Sequence, residues 1–520
     1  MDYFLTYEYL YFNNASLFTV IYLPKKEGKF PTIIYRTPYA NDSSEISEQE
    51  ILEKTKHAYK CFVDRGYAVV FQHCRGRGKS GGDCIPYIYE REDGLHLQQW
   101  IRKQSFYNGE LYLFGGSYTS SVHFVTAPFS KDIKGAILEI QDCNRYNCNY
   151  RNGFYKIGLH GSWYIDMYKH KSNIEKNYVV EDFNMLPLIN LSVAKFKEKA
   201  VDFDEILCHP DPKDEFWKSR NGGGETINAI KHADIPILLV TGFYDIYTGG
   251  IFDMWNDLDE NTKAKSALVV HPYDHNYYSE GQDIVFEDGM ILDYFKDYRV
   301  NWLDAIRNKN SFPFKQNKVT YYKLFEKQWL CDDFNQPNEK YTFILGDKKV
   351  TYLYDPNNCA TFKGGLCTNF GGAKYQEKPN LRSDIVTVYT PVFNEDTFIK
   401  GKMSAKINVS SDCEDTCFYV RLSLVKENGD YGLRDDITQI SNYDKNYESN
   451  SFMDLNFSFD EHAFVVKKGE KIRIDISSSA FPLYVRHTNN KGLYCMQTTT
   501  KVAKNTIDLS KSTLTLYYVK

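Results

Sequence analysis

Three short segments hold side chains able to carry out nucleophilic acyl transfer. Ser117 lies in Gly115-Gly116-Ser117-Tyr118, Asp245 ends Gly242-Phe243-Tyr244-Asp245, and His275 ends His271-Pro272-Tyr273-Asp274-His275. A serine hydroxyl attacks a carbonyl only when an imidazole takes its proton, and the imidazole needs a carboxylate to fix its tautomer and balance its charge. Glycines before the serine let the backbone turn sharply, so that the hydroxyl projects into a cleft. The Tyr118 N–H, opening the next helix, would point at the developing oxyanion. The five-residue form of this turn has a further glycine where this chain has Thr119. Taken alone, the segment also fits a glycine-rich turn whose serine only caps a helix.

The elements around these segments decide between the two. Residues 31–35 (Pro-Thr-Ile-Ile-Tyr) read as a buried strand, 49–64 as helical, and 67–71 (Tyr-Ala-Val-Val-Phe) as the next strand. A helix over 91–104, with Leu97, Trp100 and Ile101 at helical spacing, leads to a strand at 111–114 that runs into the Ser117 turn. The apolar runs 235–240 and 267–270 place Asp245 and His275 just beyond two further strands. Such alternation predicts a parallel sheet with helices on both faces. The chain order serine, acid, histidine is the one that α/β-hydrolase topology requires.

Between these halves the rhythm breaks. Residues 142–232 are rich in Asn, Tyr, Lys and His, with 190–201 reading as helical, and are expected to form an insertion rather than another strand–helix unit. Trp163, in this stretch, is a candidate for lining an acyl or aryl pocket, and packing within the insertion explains it equally well. From 312 the pattern turns to alternating strands such as 418–424 and 471–476, separated by turns such as Glu427-Asn428-Gly429-Asp430. The expected organisation is therefore an α/β-hydrolase core in two parts (1–141 and 233–311), a cap (142–232), and an antiparallel sandwich over 312–520.

Composition narrows the partners. With 42% hydrophobic and 25% charged residues the chain is that of an ordinary globular protein, and a net charge of -5 gives no electrostatic case for nucleic acid or an anionic membrane. No apolar run reaches the ~18 residues that span a bilayer, and the start Met1-Asp2-Tyr3-Phe4 lacks the basic and apolar regions of a signal peptide. Without a secretory signal, a cytoplasmic protein with reduced cysteines is expected, and the twelve cysteines show no zinc-finger spacing. His73, His123 and His160 have no metal-ligand partners at useful spacing. The glycines around Arg75 and Arg77 lack P-loop or dinucleotide spacing, so a structural turn is expected there.

In combination these segments resemble the family of cocaine esterase, α-amino-acid ester hydrolases and X-Pro dipeptidyl-peptidases. The likeness rests on Arg36-Thr37-Pro38-Tyr39, Arg75-Gly76-Arg77-Gly78-Lys79-Ser80, Glu92-Asp93-Gly94, the three segments above, and Ser477-Ser478-Ser479-Ala480-Phe481-Pro482. It implies an α/β-hydrolase core, a helical cap and a C-terminal jelly-roll-like domain, with an oxyanion role for the Tyr39 hydroxyl beside the Tyr118 N–H. It also implies a serine hydrolase for small esters or amides, or X-Pro peptides, working without metal or organic cofactor. This chain departs from the family pattern at His271, where glycine is usual, at Asn276 after His275, and at Gln72-His73-Cys74. An acyltransferase built on the same triad, or an idle binding protein, is the alternative.

Overall fold

The computed structural model describes residues 3–40, 45–168, 183–196, 199–224, 230–278, 281–366 and 371–520. Its largest sheet has ten strands: β1 (Tyr3–Phe12), β2 (Ala15–Pro24), β3 (Phe30–Thr37), β4 (Ala68–His73), β5 (Tyr107–Gly116), β6 (Ile133–Glu139), β9 (Ile237–Tyr244), β10 (Ala267–Asp274), β11 (Lys318–Lys323) and β12 (Gln328–Asp332). The numbers β7 (Tyr150–Arg151) and β8 (Phe154–Tyr155) belong to a small hairpin outside it. The order across the sheet is β1-β2-β4-β3-β5-β6-β9-β10-β11-β12. From β4 to β11 every neighbouring pair is parallel, and antiparallel strands finish both edges.

Parallel strands covered on both faces need apolar side chains at every position. β9 and β10 are buried at all eight positions and apolar over 237–240 and 267–270, with Thr241, His271 and Asp274 as polar residues nearer their ends. Burying each Leu or Val of these runs contributes about 1.5–3 kcal/mol. Helices Glu90–Ile101 and Tyr118–Phe124 follow β4 and β5, and Tyr298–Asn308 precedes β11. The helical stretch expected over 49–64 is divided into Glu48–Thr55 and Lys60–Asp64. β1, β2 and β6 extend the sheet beyond the strands expected from the sequence. β11 and β12 carry it past residue 312, into the stretch where the sequence pattern begins the sandwich.

Between β6 and β9 the described chain forms short helices, among them Arg145–Asn149, Ser162–Tyr168, Leu191–Phe196 and Val201–Cys208. Of the helix expected over 190–201, residues 197 and 198 lie outside the described residues, as do 169–182 and 225–229 of the inserted stretch. The C-terminal region has two antiparallel sheets, one built on the long strands β16 (Thr397–Ser411), β19 (Met453–Val466) and β21 (Ala503–Val519). The other orders β15 (Val386–Tyr389), β20 (Lys471–Ser477), β17 (Cys417–Lys426) and β18 (Gly429–Gln439). The Ser477–Pro482 segment meets the insertion, with the Gly158 N–H donating to the Pro482 carbonyl at 2.8 Å. Arg151 adds ion pairs to Asp436 at 2.7 Å and Asp460 at 2.8 Å. Among the described residues no helix is long and apolar enough to cross a membrane.

Candidate active site

Ser117, Asp245 and His275 each stand one residue beyond a central strand: β5, β9 and β10. The Ser117 turn is tight. Its φ of 57° lies in the left-handed region, a conformation that costs about 1–3 kcal/mol in a non-glycine residue. Gly115 makes it sterically feasible, because a Cβ there would lie 2.0 Å from the Thr119 carbonyl oxygen. The close approach therefore falls on Gly115, and Thr119 is accommodated by bonding back to the Gly116 N–H through Oγ1 at 2.6 Å. The turn is fixed further by Ser117 N–H to the Glu139 carbonyl at 2.9 Å, and by Ser120 Oγ to the Gly115 carbonyl at 2.7 Å. Ser117 makes no side-chain cap to the helix that follows.

Its hydroxyl instead meets His275. The Nε2 of His275 lies 3.0 Å from Ser117 Oγ, and Nδ1 lies 2.8 Å from Asp245 Oδ1. Asp245 is fully buried, and its second oxygen accepts from Thr241 Oγ1 at 2.7 Å. Tyr247 packs edge-on to the His275 ring at 5.6 Å. His271 stays inside β10, fully buried, its Nδ1 accepting from the Tyr273 N–H at 3.2 Å. Burial lowers its pKa to about 3, so the ring is neutral. Gly242 makes the room for it: a Cβ at Gly242 would lie 2.5 Å from His271 Cε1. The loop after His275 is held at Asp274, which accepts from the Asn276 N–H at 3.0 Å and from Gln282 Nε2 at 2.8 Å.

Tyr39 Oη lies 3.3 Å from Ser117 Oγ. Although 46% of Tyr39 is accessible to solvent, desolvation of its hydroxyl end raises the phenol pKa, against hydrogen bonds with Ser117, Trp163 and the Tyr118 backbone that lower it. The hydroxyl thus stays protonated and able to donate. Arg77 supports its turn, Nε donating to the Pro38 carbonyl at 2.7 Å and a second nitrogen reaching the Met167 carbonyl. Arg75 is paired with Asp93, so both arginines serve the architecture of the turn. Tyr118 is held through its side chain, Oη donating to Glu90 at 2.9 Å, and Glu90 pairs with the buried Arg36 at 2.8 Å. Trp163 stacks on Tyr118 at 6.0 Å and reaches the Tyr39 hydroxyl, which places it near Ser117.

Thr241, Tyr247 and Glu90 support the site without a signal in the sequence. Each is one polar or aromatic residue in an apolar or helical stretch, and only the fold shows what it faces. Among the described residues no group of three His, Cys, Asp or Glu is placed to hold a metal ion. The chemistry open to this arrangement is proton transfer between Ser117 Oγ and His275 Nε2, with Asp245 on Nδ1 orienting the ring and the Tyr39 hydroxyl beside the serine.

The sheet and its strand-end residues define an α/β-hydrolase fold, and comparison with known proteins makes the chain a serine hydrolase. It belongs to the X-Pro dipeptidyl-peptidase (S15) family. Residues 14–277 match that family's sequence model, and 310–514 match that of the X-Pro dipeptidyl-peptidase C-terminal non-catalytic domain. Cocaine esterase from Rhodococcus sp. (strain MB1 Bresler) is 24% identical over 540 residues, covering 91% of this chain and 90% of that one. Two solved structures are similar in fold over 100% of this chain and 97% of theirs, each at 16% identity. They are an aminopeptidase from a marine sediment Thaumarchaeota archaeon (TM-score 0.83) and an α-amino acid ester hydrolase (TM-score 0.79). A CocE/NonD family hydrolase from Staphylococcus aureus follows at TM-score 0.68 and 15% identity, over 100% of this chain and 94% of its own.

Proposed function

We propose that the chain hydrolyses small esters through an acyl-enzyme on Ser117, with amides and X-Pro peptides as further substrates. The reading is carried by one observation, the unbroken hydrogen-bond chain from Asp245 through His275 to Ser117 at 2.8 and 3.0 Å. His275 Nε2 takes the Ser117 proton as Oγ bonds to the substrate carbonyl carbon, and returns it to the leaving alcohol or amine. Water then attacks the acyl group, giving its proton to His275, and Ser117 is released with its hydroxyl restored. Asp245 holds the tautomer with Nδ1–H toward itself and stabilises the imidazolium. Tyr39 Oη and the Tyr118 N–H hold the oxyanion, and Trp163 lines the acyl side. Esters are placed first because the relative matched along nine-tenths of its sequence is an esterase.

The test combines fluorophosphonate labelling with turnover of p-nitrophenyl esters, aminoacyl amides and X-Pro anilides. Labelling at Ser117 and turnover of at least one ester series is the expected result. A folded protein that neither labels nor turns over any of the three would overturn the reading.

A further inference from the structure

A cavity of about 660 Å³ lies between the 76–88 loop of the core and the inserted stretch. That volume is typical of a site for a small molecule. Its wall is apolar along Ile85, Pro86, Ile88 and Ile206, and Arg145 enters it from the helix Arg145–Asn149. Arg145 is only 4% exposed. Its guanidinium lies 3.5 Å from the centre of the Tyr87 ring, and one nitrogen reaches Tyr164 Oη at 3.5 Å. A second nitrogen, Nη1, is buried with no hydrogen-bond partner among the described residues. The groups acting on its charge are the Tyr87 and Tyr164 phenols and the Cys148 thiol, all neutral near pH 7.

An unpaired charge in that position is costly. A guanidinium cannot shed its proton, and burying it without an anion leaves several kcal/mol of lost hydration. Stacking on Tyr87 offsets only part of this. The fold nevertheless fixes the side chain in place, since a Cβ at Gly223 would lie 2.0 Å from Arg145 Cγ. An under-paired guanidinium on a residue that lines a cavity with an apolar wall matches a carboxylate on an apolar body. Asp83, Asp202 and Glu205 also line the cavity, against Lys199 as the other cation, so the lining disfavours multiply charged anions.

We infer that this cavity binds a small monocarboxylate, its two oxygens on Arg145 and its apolar part against the Ile85–Pro86 wall. The site does not depend on the role given to Ser117. It is nonetheless linked to it, because Tyr87 packs on Tyr118 at 4.2 Å and donates its N–H to Tyr118 Oη at 2.6 Å.

The test is equilibrium calorimetry on the full chain with benzoate, its neutral isostere benzamide, and inorganic phosphate. Benzoate is expected to bind at least tenfold tighter than benzamide and than phosphate. Arg145→Met should abolish the preference over benzamide, Arg145→Lys should keep part of it, and Lys199→Gln should leave it intact. Equal binding of benzoate and benzamide, an undiminished preference in Arg145→Met, or phosphate binding as tightly as benzoate would each overturn the inference. If Arg145→Met fails to fold, the wild-type ligand series and Arg145→Lys still decide it. Slower fluorophosphonate labelling at saturating benzoate would identify the carboxylate as part of a substrate that reaches Ser117, and unchanged labelling as a separate ligand.

Discussion

The Ser117 chain and the Arg145 cavity both place charge or developing charge out of water, and they treat it in opposite ways. At the first, Asp245 has a donor on each oxygen and His275 a partner on each nitrogen. Nothing has to reorganise when the imidazole becomes charged, which is the condition for strong electrostatic stabilisation in a buried site. At the second, a guanidinium as deeply buried has an aromatic face, one long contact to a phenol and no counter-ion among the described residues. On the two proposals above, complete pairing belongs to a place where charge appears during reaction, and incomplete pairing to a place where charge arrives with a ligand.

The largest expected effects fall on the paired side. Ser117→Ala should lower kcat by about 10⁴–10⁶ with an unchanged melting temperature, as should His275→Ala. His271→Ala, which leaves both hydrogen bonds of His275 in place, should reduce kcat less than tenfold. Steady-state kinetics on folded variants with one good ester measure all three, and the reverse ranking of the two histidines would reassign the base. Next comes Tyr39→Phe, expected to cost about 10²–10³ in kcat with little change in KM, since the hydroxyl acts on the oxyanion rather than the ground state. Kinetics within threefold of wild type would leave the Tyr118 N–H without its partner.

The smallest effect concerns a third buried charge, Asp142, three residues before Arg145. Burial raises its pKa to about 7, while its Oδ1 accepts from the Asn144 N–H at 2.7 Å. A carboxyl can answer burial by keeping its proton, which a guanidinium cannot. Because the folded pKa lies above the unfolded value near 3.9, the folded state holds more protons between those values. Stability should therefore fall as pH rises from about 4 to 7. Asp142→Asn should flatten that slope and raise the melting temperature at pH 8. Part of the slope remains with Glu461, also held near 7 by burial. A slope in Asp142→Asn identical to wild type would mean that Asp142 is ionised in the fold.

The sequence makes the triad geometry legible because its determinants are local: a glycine-rich turn after an apolar run, and polar residues closing two others. Strand limits were less so. β10 continues through Asp274 although Pro272 and two polar residues argue for an earlier end, because tertiary burial overrides local propensity there. β6 is hard to read because Ile133–Glu139 mixes lysine and glycine with its apolar residues, and β1 because most of it faces solvent. The departure from glycine at His271 is explained by Gly242 on the neighbouring strand, a pairing that no single stretch of sequence reveals. Arg145 was invisible for the opposite reason. Nothing near it in the chain marks an arginine as buried, and its significance lies in what is missing around it.

One contact reaches across the molecule. Gln282 donates to Asp274, the residue before His275, and accepts the Ala373 N–H at 2.6 Å, while Gly372 leaves no room for a side chain against it. Asp283 fastens the same junction by accepting the Tyr375 N–H at 2.9 Å. The alignment of the proposed base is thus anchored in a part of the chain that contributes no reacting group. A protein shortened after β12 would still contain serine, acid and histidine, yet its imidazole would hang from a loop fastened at one end. The smallest unit able to hold the reaction geometry is therefore larger than the set of strands that carries the reacting side chains.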